Sequence, residues 1–128
     1  MRTLLHQRMS HILIVEDDPT IQQRLMTILE HEGIASTVVS EAHEAIHQLR
    51  RGASYNMVFM DFDLPYTDGL TLTRYIRTLS ESLGAIPILG MAANGDPLRN
   101  HEGHAAGTRQ TIHYPAITWR DRRLHSAH

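Results

Sequence analysis

The feature that most constrains this chain is an alternation of short apolar segments with longer amphipathic ones, repeated about five times along 128 residues. The apolar segments, such as His11–Val15 (HILIV), have the length and composition of strands buried on both faces. Asp18 and Pro19 then open a helix as its N-cap and first helical residue, and Gly33 ends it. The alternation predicts an α/β protein in which helices cover both faces of a five-stranded parallel sheet, a doubly wound (βα)5 fold.

The remaining elements follow the same order. A β-branched segment at 36–39 is a second strand, and Ser40 is expected to cap a second helix that ends at Gly52. Three more strands are predicted at 57–60, 86–91 and 110–113. The helices between and after them are expected over 70–79, 96–106 and 118–125.

Composition excludes several classes of protein. The net charge is −2, whereas nucleic-acid-binding domains are usually basic with clustered positive charges, so direct nucleic-acid binding is not expected. All twelve basic residues are arginine, and the chain has no lysine. The chain has no cysteine, so it has no disulfide and no thiolate metal site. No apolar run approaches the roughly 20 residues that span a bilayer, so no membrane insertion is expected. We expect a cytoplasmic protein with a flexible leader over 1–9 and one domain over 10–128.

Acidic residues follow two of the predicted strands. Glu16 and Asp17 come after the first strand, while Asp61 and Asp63 come after the third. Parallel strands bring their carboxyl ends to one edge of a sheet, so these carboxylates should converge there. Clustered carboxylates repel one another unless a cation joins them, and hard oxygen ligands suit Mg²⁺. Asp18, beside them, is better explained as a helix cap.

The segments ILIVEDDP and MVFMDFDLPYTDG resemble the first and third strands, with their loops, of the receiver domains of response regulators in two-component signalling. The resemblance runs from about Ser10 to Pro115 and implies a flavodoxin-like topology. It implies that Asp61 is the phosphoacceptor of an aspartyl phosphate and that Glu16, Asp17, Asp61 and the backbone carbonyl of Asp63 bind Mg²⁺. Further positions that match the family are Pro65, Asp68, Gly69, Gly107 and Pro115.

Three positions depart from the family pattern. The hydroxyl residue that ends strand four in receivers is replaced by Ala92, and the lysine before the strand-five proline is replaced by Tyr114. The aromatic switch position is Thr111. Tyr114 offers one neutral hydrogen bond and no positive charge, and His113 is a candidate substitute donor. We therefore expect an atypical receiver with weakened switching, the alternative being an ordinary phosphorylation-driven switch.

The resemblance implies a sensor histidine kinase or a histidine phosphotransfer protein as partner, and a homodimer through the fourth and fifth predicted helices (96–106 and 118–125). A receiver is a signalling module and not an enzyme. One alternative is a protein-interaction module of receiver fold that works without phosphorylation. A weaker alternative is a phosphatase of the haloacid dehalogenase type, since MVFMDFD contains that superfamily's apolar strand followed by D-x-D.

Two other features have ordinary explanations beside functional ones. The pairs His43/His47 and His101/His104 have the spacing of ligands on one helical face, but neither has an assured third ligand, so exposed polar faces are expected. The last predicted helix carries one aromatic and several basic residues, which fit either an interface or a solvated helix. These residues are Trp119, Arg120, Arg122 and Arg123.

Overall fold

The computed structural model describes residues 11–51, 54–92 and 97–113. Its strands form one five-stranded sheet in which every neighbouring pair is parallel. The strands are β1 (His11–Val15), β2 (Ala35–Val39), β3 (Met57–Asp61), β4 (Ile88–Ala92) and β5 (Gln110–His113). Their spatial order is β2-β1-β3-β4-β5, which confirms the doubly wound, flavodoxin-like prediction.

The helices in the described ranges alternate with the strands. They are α1 (Pro19–His31), α2 (Ala42–Arg50), α3 (Gly69–Arg77), the four-residue α4 (Glu81–Gly84) and α5 (Pro97–Ala106). The predicted helix over 118–125 and the predicted leader over 1–9 lie outside the described residues.

The two central strands form the middle of the core. Leu13, Ile14 and Val15 of β1 are inaccessible to solvent, as are Val58 and Met60 of β3. Consecutive residues of a strand point to opposite faces, so full burial of neighbours requires cover on both sides of the sheet. The absence of apolar–polar alternation in these segments therefore predicted the layering correctly.

The start of α1 matches its prediction and the start of α2 does not. Asp18 caps α1 by accepting hydrogen bonds from the backbone N–H groups of Thr20 at 2.8 Å and Ile21 at 3.3 Å. The N-cap of α2 is Glu41 and not Ser40. Glu44 Oε1 accepts hydrogen bonds from the backbone N–H groups of Glu41 at 3.1 Å and Ser40 at 3.2 Å, which fixes the boundary one residue later.

The bounds of α3 and β4 also differ from the predicted ones. Helix α3 ends at Arg77, because Thr78 Oγ1 donates to the Tyr75 carbonyl at 2.7 Å and the chain then starts the unpredicted α4. Strand β4 begins at Ile88, two residues later than predicted. Pro87 has no N–H to donate to a neighbouring strand, and the Ile86 carbonyl accepts from Arg77 instead.

Arg77 ties the end of α3 to the segments that lead into β4 and β5. Its Nη1 donates to the carbonyls of Gly84 at 3.0 Å and Ile86 at 2.6 Å, while Nε and Nη2 donate to Gly107 at 3.1 and 2.7 Å. Burial, and secondarily the positive charge of Arg109, lower the pKa of the Arg77 guanidinium. The side chain acts as a structural cross-link at the end of the sheet opposite the acidic residues.

Candidate functional site

The predicted acidic residues meet at the carboxyl edge of the sheet. Glu16 and Asp17 follow β1 directly, and Asp61 is the last residue of β3, which pairs with β1. Strand order changes direction at β1, because β2 lies on one side of it and the later strands lie on the other. Ligand sites of open α/β sheets lie at such switch points, so the fold itself brings these carboxylates together.

The three carboxylates form a tight cluster. One oxygen from each of Glu16, Asp17 and Asp61 lies within 4.8 Å of the others. The Glu16 and Asp61 residues are fully buried, and Asp17 is partly buried. Like charges at this separation raise the free energy of the ionised cluster unless a cation compensates them.

Hydrogen bonds from the first loop orient Glu16. Its Oε2 accepts from the backbone N–H of Asp18 at 2.9 Å, and its carbonyl accepts from the Gln22 side chain at 2.5 Å. The Gln22 amide also reaches Ser40 Oγ at 3.2 Å, which joins this loop to the end of β2. Asp18 is therefore a cap, as the sequence indicated, and it is also a backbone donor to the cluster, which the sequence did not indicate.

Asp17 supplies the observation that tests the site for a metal. Within the described part of the chain, its Oδ1 is buried and accepts no hydrogen bond. A buried carboxylate oxygen without a partner is costly, and a divalent cation would satisfy it. The donor set consists of hard carboxylate oxygens, which fits Mg²⁺ and does not fit a softer metal that prefers nitrogen or sulfur.

Asp61 and Asp63 share a tight turn at the end of β3. The backbone N–H of Asp63 donates to Asp61 Oδ1 at 2.9 Å, so the side chain of Asp61 is held by its own loop. The Asp63 carboxylate points elsewhere, and its Oδ1 accepts from Arg99 Nη2 at 2.7 Å. Asp63 thus has a side-chain role that the resemblance, which concerned only its carbonyl, did not predict.

Sequence reasoning missed Arg99 altogether. It is the third residue of α5, the least clearly patterned of the predicted helices, and its partner lies far away in sequence. Arg99 also places Cζ 5.4 Å from the ring centroid of Phe62 and contacts Glu102 at 3.5 Å. No spacing motif joins these residues, so only the folded chain reveals the contact.

Phe62 follows Asp61 and fills the space between β4 and α5. Its ring is inaccessible to solvent and lies against two glycines. A Cβ on Gly90 would fall inside contact distance of the ring tip, and one on Gly103 would lie 2.8 Å from it. The same hypothetical Cβ on Gly103 would lie 2.8 Å from Thr111 Oγ1, so Phe62 reaches the neighbourhood of the altered switch position.

The altered positions lie on β4 and β5. Ala92 is buried at the end of β4, where it pairs in register with His113, whose backbone ends β5. Thr111 pairs with Gly90, and within the described ranges its buried hydroxyl has no hydrogen-bond partner. Tyr114 lies outside the described residues, as does the position of Pro115. Ala92 therefore presents no hydroxyl at the edge of the sheet where Asp61 lies.

Both histidine pairs are exposed, as expected. His43 and His47 are exposed on α2, and His101 and His104 are exposed on α5. Among the described residues, the acidic cluster is the only group of three or more side chains close enough to share a metal ion. None of the described helices has the length and apolarity to cross a membrane.

The sequence model of the response regulator receiver domain matches residues 12–121. Protein PetR of Rhodobacter capsulatus is 35% identical over 105 residues, which are 82% of this chain and 42% of PetR. The transcriptional regulatory protein ResD of Bacillus subtilis is 32% identical over 106 residues, covering 81% of this chain and 41% of ResD. The chain thus spans about two fifths of the length of these relatives.

The solved structures agree with the sequence comparison. The receiver domain of a sensor histidine kinase from Pseudomonas aeruginosa PAO1, which has a magnesium ion coordinated in its active-site cleft, is 28% identical with a TM-score of 0.73. The match covers 90% of this chain and 93% of that domain. The receiver domain of Saccharomyces cerevisiae Ssk1, solved with the phosphotransfer protein Ypd1, shares the fold at 22% identity and a TM-score of 0.75, covering 83% of this chain and 79% of that one.

Three findings lead to the same conclusion. They are the family match over most of the chain, the parallel sheet in the order β2-β1-β3-β4-β5, and the acidic cluster at the switch point of that sheet. They favour the receiver prediction over the haloacid dehalogenase alternative, which rested on one short motif. The chain belongs to the response-regulator receiver domain family, whose members act in two-component and phosphorelay signal transduction.

Proposed function

We propose that Asp61 accepts a phosphoryl group from a phosphohistidine on a sensor histidine kinase or a histidine phosphotransfer protein. The observation that carries the proposal is the burial of Asp61 at the end of β3, with its carboxylate within 4.8 Å of oxygens of Glu16 and Asp17. A carboxylate oxygen of Asp61 forms the new bond to phosphorus while the bond between phosphorus and the imidazole nitrogen breaks. The electron pair of that bond returns to the histidine ring.

Mg²⁺ is the cofactor that the donor set fits. Glu16, Asp17, Asp61 and the backbone carbonyl of Asp63 would hold it, and the unsatisfied Oδ1 of Asp17 supports this assignment. When bound, the ion neutralises charge on the transferring group. The chain itself orients the acceptor, because the backbone N–H of Asp63 donates a hydrogen bond to Asp61 Oδ1 at 2.9 Å.

The same site supports an atypical receiver with weakened switching. Ala92 offers no hydroxyl, Thr111 is no aromatic switch, and a chain without lysine cannot place an ammonium on the phosphoryl group. A lost charged hydrogen bond is worth about 1.5–3 kcal/mol and a lost neutral one about 0.5–1.5 kcal/mol. Phosphorylation should therefore shift the conformation of this domain less than it shifts that of a receiver with all of these groups.

The proposal also covers the larger protein, the cell compartment and the self-association of this domain. The longer relatives show that receiver sequences of this kind occur within larger proteins. We place the domain in the cytoplasm, without direct nucleic-acid contact and without an enzymatic turnover of its own. A homodimer would use α5 and the segment that follows β5.

Intact-mass analysis after incubation with Mg²⁺ and acetyl phosphate tests the proposal. The wild type should gain one hydroxylamine-labile phosphoryl adduct, and Asp61→Asn should gain none. Asp68→Asn is the matched control, because Asn keeps the cap of α3 and Asp68 lies outside the cluster. An adduct that persists in Asp61→Asn would refute the assignment of the acceptor.

A second function is favoured by the altered positions. If Ala92 and Thr111 mark a site that has lost its phosphoryl readout, the domain is an interaction module of receiver fold. In that case a folded wild type would gain no adduct from acetyl phosphate or from a phosphorylated kinase, and Mg²⁺ would not bind.

A further inference from the structure

Arg99 stands at the point where helix α5 meets the turn after Asp61. Its Nη2 donates to Asp63 Oδ1 at 2.7 Å, and its Cζ lies 5.4 Å from the ring centroid of Phe62. A further contact, Nη1 to Glu102, is long at 3.5 Å. One guanidinium therefore touches both residues that follow Asp61 in the chain.

This arrangement links a positive charge to the proposed acceptor through a single residue, Asp63. The backbone N–H of Asp63 binds Asp61 Oδ1 at 2.9 Å, and the carboxylate of the same residue binds Arg99. The arginine side chain is 23% exposed, so its charge is only partly screened by water. It contacts the loop that follows one of the three clustered carboxylates, in a chain that has no lysine to offer.

Phosphorylation would change which oxygens attract this guanidinium most strongly. A phosphoryl group carries a charge of about −1.5 to −2 and three strong acceptor oxygens, whereas Asp63 carries a single negative charge. Arginine binds phosphate oxygens in a two-pronged geometry that lysine cannot reproduce. Asp63 is 41% exposed, so water can solvate its carboxylate when the arginine leaves.

We propose that Arg99 is the phosphoryl-binding cation of this domain. Asp63 holds the guanidinium while Asp61 is unmodified, and the phosphoryl oxygens take it over when Asp61 is phosphorylated. Because Arg99 lies in the first turn of α5, the exchange pulls on that helix directly. This inference rests on the proposed role of Asp61 as phosphoacceptor. The positive charge would come from helix α5, in place of the lysine that receivers carry before the strand-five proline.

Phe62 would stay in contact with the Arg99 guanidinium during the exchange. The ring is buried against Gly90 and Gly103, so it cannot follow the guanidinium and serves as a fixed surface along which Arg99 moves. A guanidinium over an aromatic face keeps a favourable contact while its hydrogen-bond partner changes. The exchange from Asp63 to the phosphoryl oxygens would then need a new side-chain rotamer of Arg99 or a displacement of α5.

A purely structural ion pair is the alternative. Pairs with this exposure usually contribute little to stability, and Arg99 would then matter no more in the phosphorylated state than in the free one. The two possibilities differ in what removal of the charge does to Mg²⁺ binding and to binding of a phosphoryl analogue. Removing a nearby cation should leave Mg²⁺ affinity unchanged or increase it, because the repulsion between the two cations disappears.

The test compares wild type, Arg99→Gln, Arg99→Lys and Arg74→Gln. Arg74 is an exposed arginine on α3 and controls for the loss of one positive charge. Calorimetry first measures the affinity for Mg²⁺ alone, and then the affinity for beryllofluoride at saturating Mg²⁺. A thermal melt of each variant, without either ligand, reports whether the fold is intact.

We expect Arg99→Gln to bind beryllofluoride about 10- to 100-fold more weakly, the size of one lost charge-assisted hydrogen bond, with Mg²⁺ affinity equal or higher. Arg99→Lys should recover part of the loss, and Arg74→Gln should match the wild type. Equal affinity for beryllofluoride in wild type and Arg99→Gln would overturn the inference while leaving the proposed function intact. A parallel loss of Mg²⁺ affinity and melting temperature would show a structural role instead. A wild type that binds no beryllofluoride would overturn both proposals.

Discussion

Phe62 shows how one side chain can determine what its neighbours must be. The ring has no exposed surface, and it occupies the volume in which side chains at positions 90 and 103 would otherwise lie. On Gly90 an added Cβ would also meet two further ring atoms at 2.6 and 2.9 Å, distances that carbon atoms do not adopt without displacement. These two glycines are thus required for packing, and neither has the positive φ that demands glycine for backbone reasons.

This packing leads to a prediction for Gly90→Ala. Overpacking a filled core costs about 1–3 kcal/mol, and we expect the free energy of unfolding in urea to fall by that amount. The substitution Phe62→Leu shortens the side chain at the point of contact, so the double variant Gly90→Ala/Phe62→Leu should be more stable than the sum of the single effects predicts. Strict additivity in this double-mutant cycle would contradict the contact.

At the scale of elements, Arg77 connects the end of α3 to the segments that precede β4 and β5. Its hydrogen bonds hold the carbonyls of Gly84, Ile86 and Gly107, at the end of α4, before β4 and before β5. Gly107, whose carbonyl accepts two of these bonds, adopts a φ of +114°, a conformation that few other residues tolerate. The cross-link thus contacts both the end of α4 and the residue two positions before β4.

Arg77→Met should therefore destabilise the domain more than the loss of an exposed arginine does. Methionine fills similar space and leaves three carbonyls without their donor, so we expect a loss of about 2–3 kcal/mol in urea unfolding. Arg74→Met is the matched control, because Arg74 is an exposed arginine on the same helix. If the two variants were equally stable, the hydrogen bonds of Arg77 would not contribute as described.

At the scale of the whole molecule, the acidic cluster makes stability depend on a cation. A ligand that binds only the folded state adds about 2.7 kcal/mol at a concentration 100 times its dissociation constant. We expect MgCl2 to raise the melting temperature, and NaCl of equal ionic strength to raise it less. Asp17→Asn removes one charge from the cluster, so it should melt at a higher temperature than the wild type without Mg²⁺ and respond less to the ion. A response to Mg²⁺ equal to that of the wild type would exclude Asp17 from the ligand set.

The order of the sheet strands and the acidic cluster were predictable, whereas the contacts around the cluster were not. Strand–helix alternation determines a parallel sheet, and acids at the ends of two strands must then meet at its edge. The N-cap of α2 was misplaced because Glu44 decides it by reaching back along the chain. Arg99 was missed because its partner, Asp63, is distant in sequence and local patterns carry no information on such pairs.

The packing around Phe62 also restricts the order in which this sequence can change. While the ring is in place, a side chain at position 90 is penalised, so that substitution is favoured only after position 62 has become smaller. A side chain at position 103 would also meet the hydroxyls of Thr108 and Thr111, so a smaller residue 62 alone does not make room for it. Once a side chain has been gained at position 90, the large ring cannot return to position 62 without penalty. The mutational history of the residue next to Asp61 therefore has a direction, and the routes available to a descendant depend on whether position 62 or position 90 changed first.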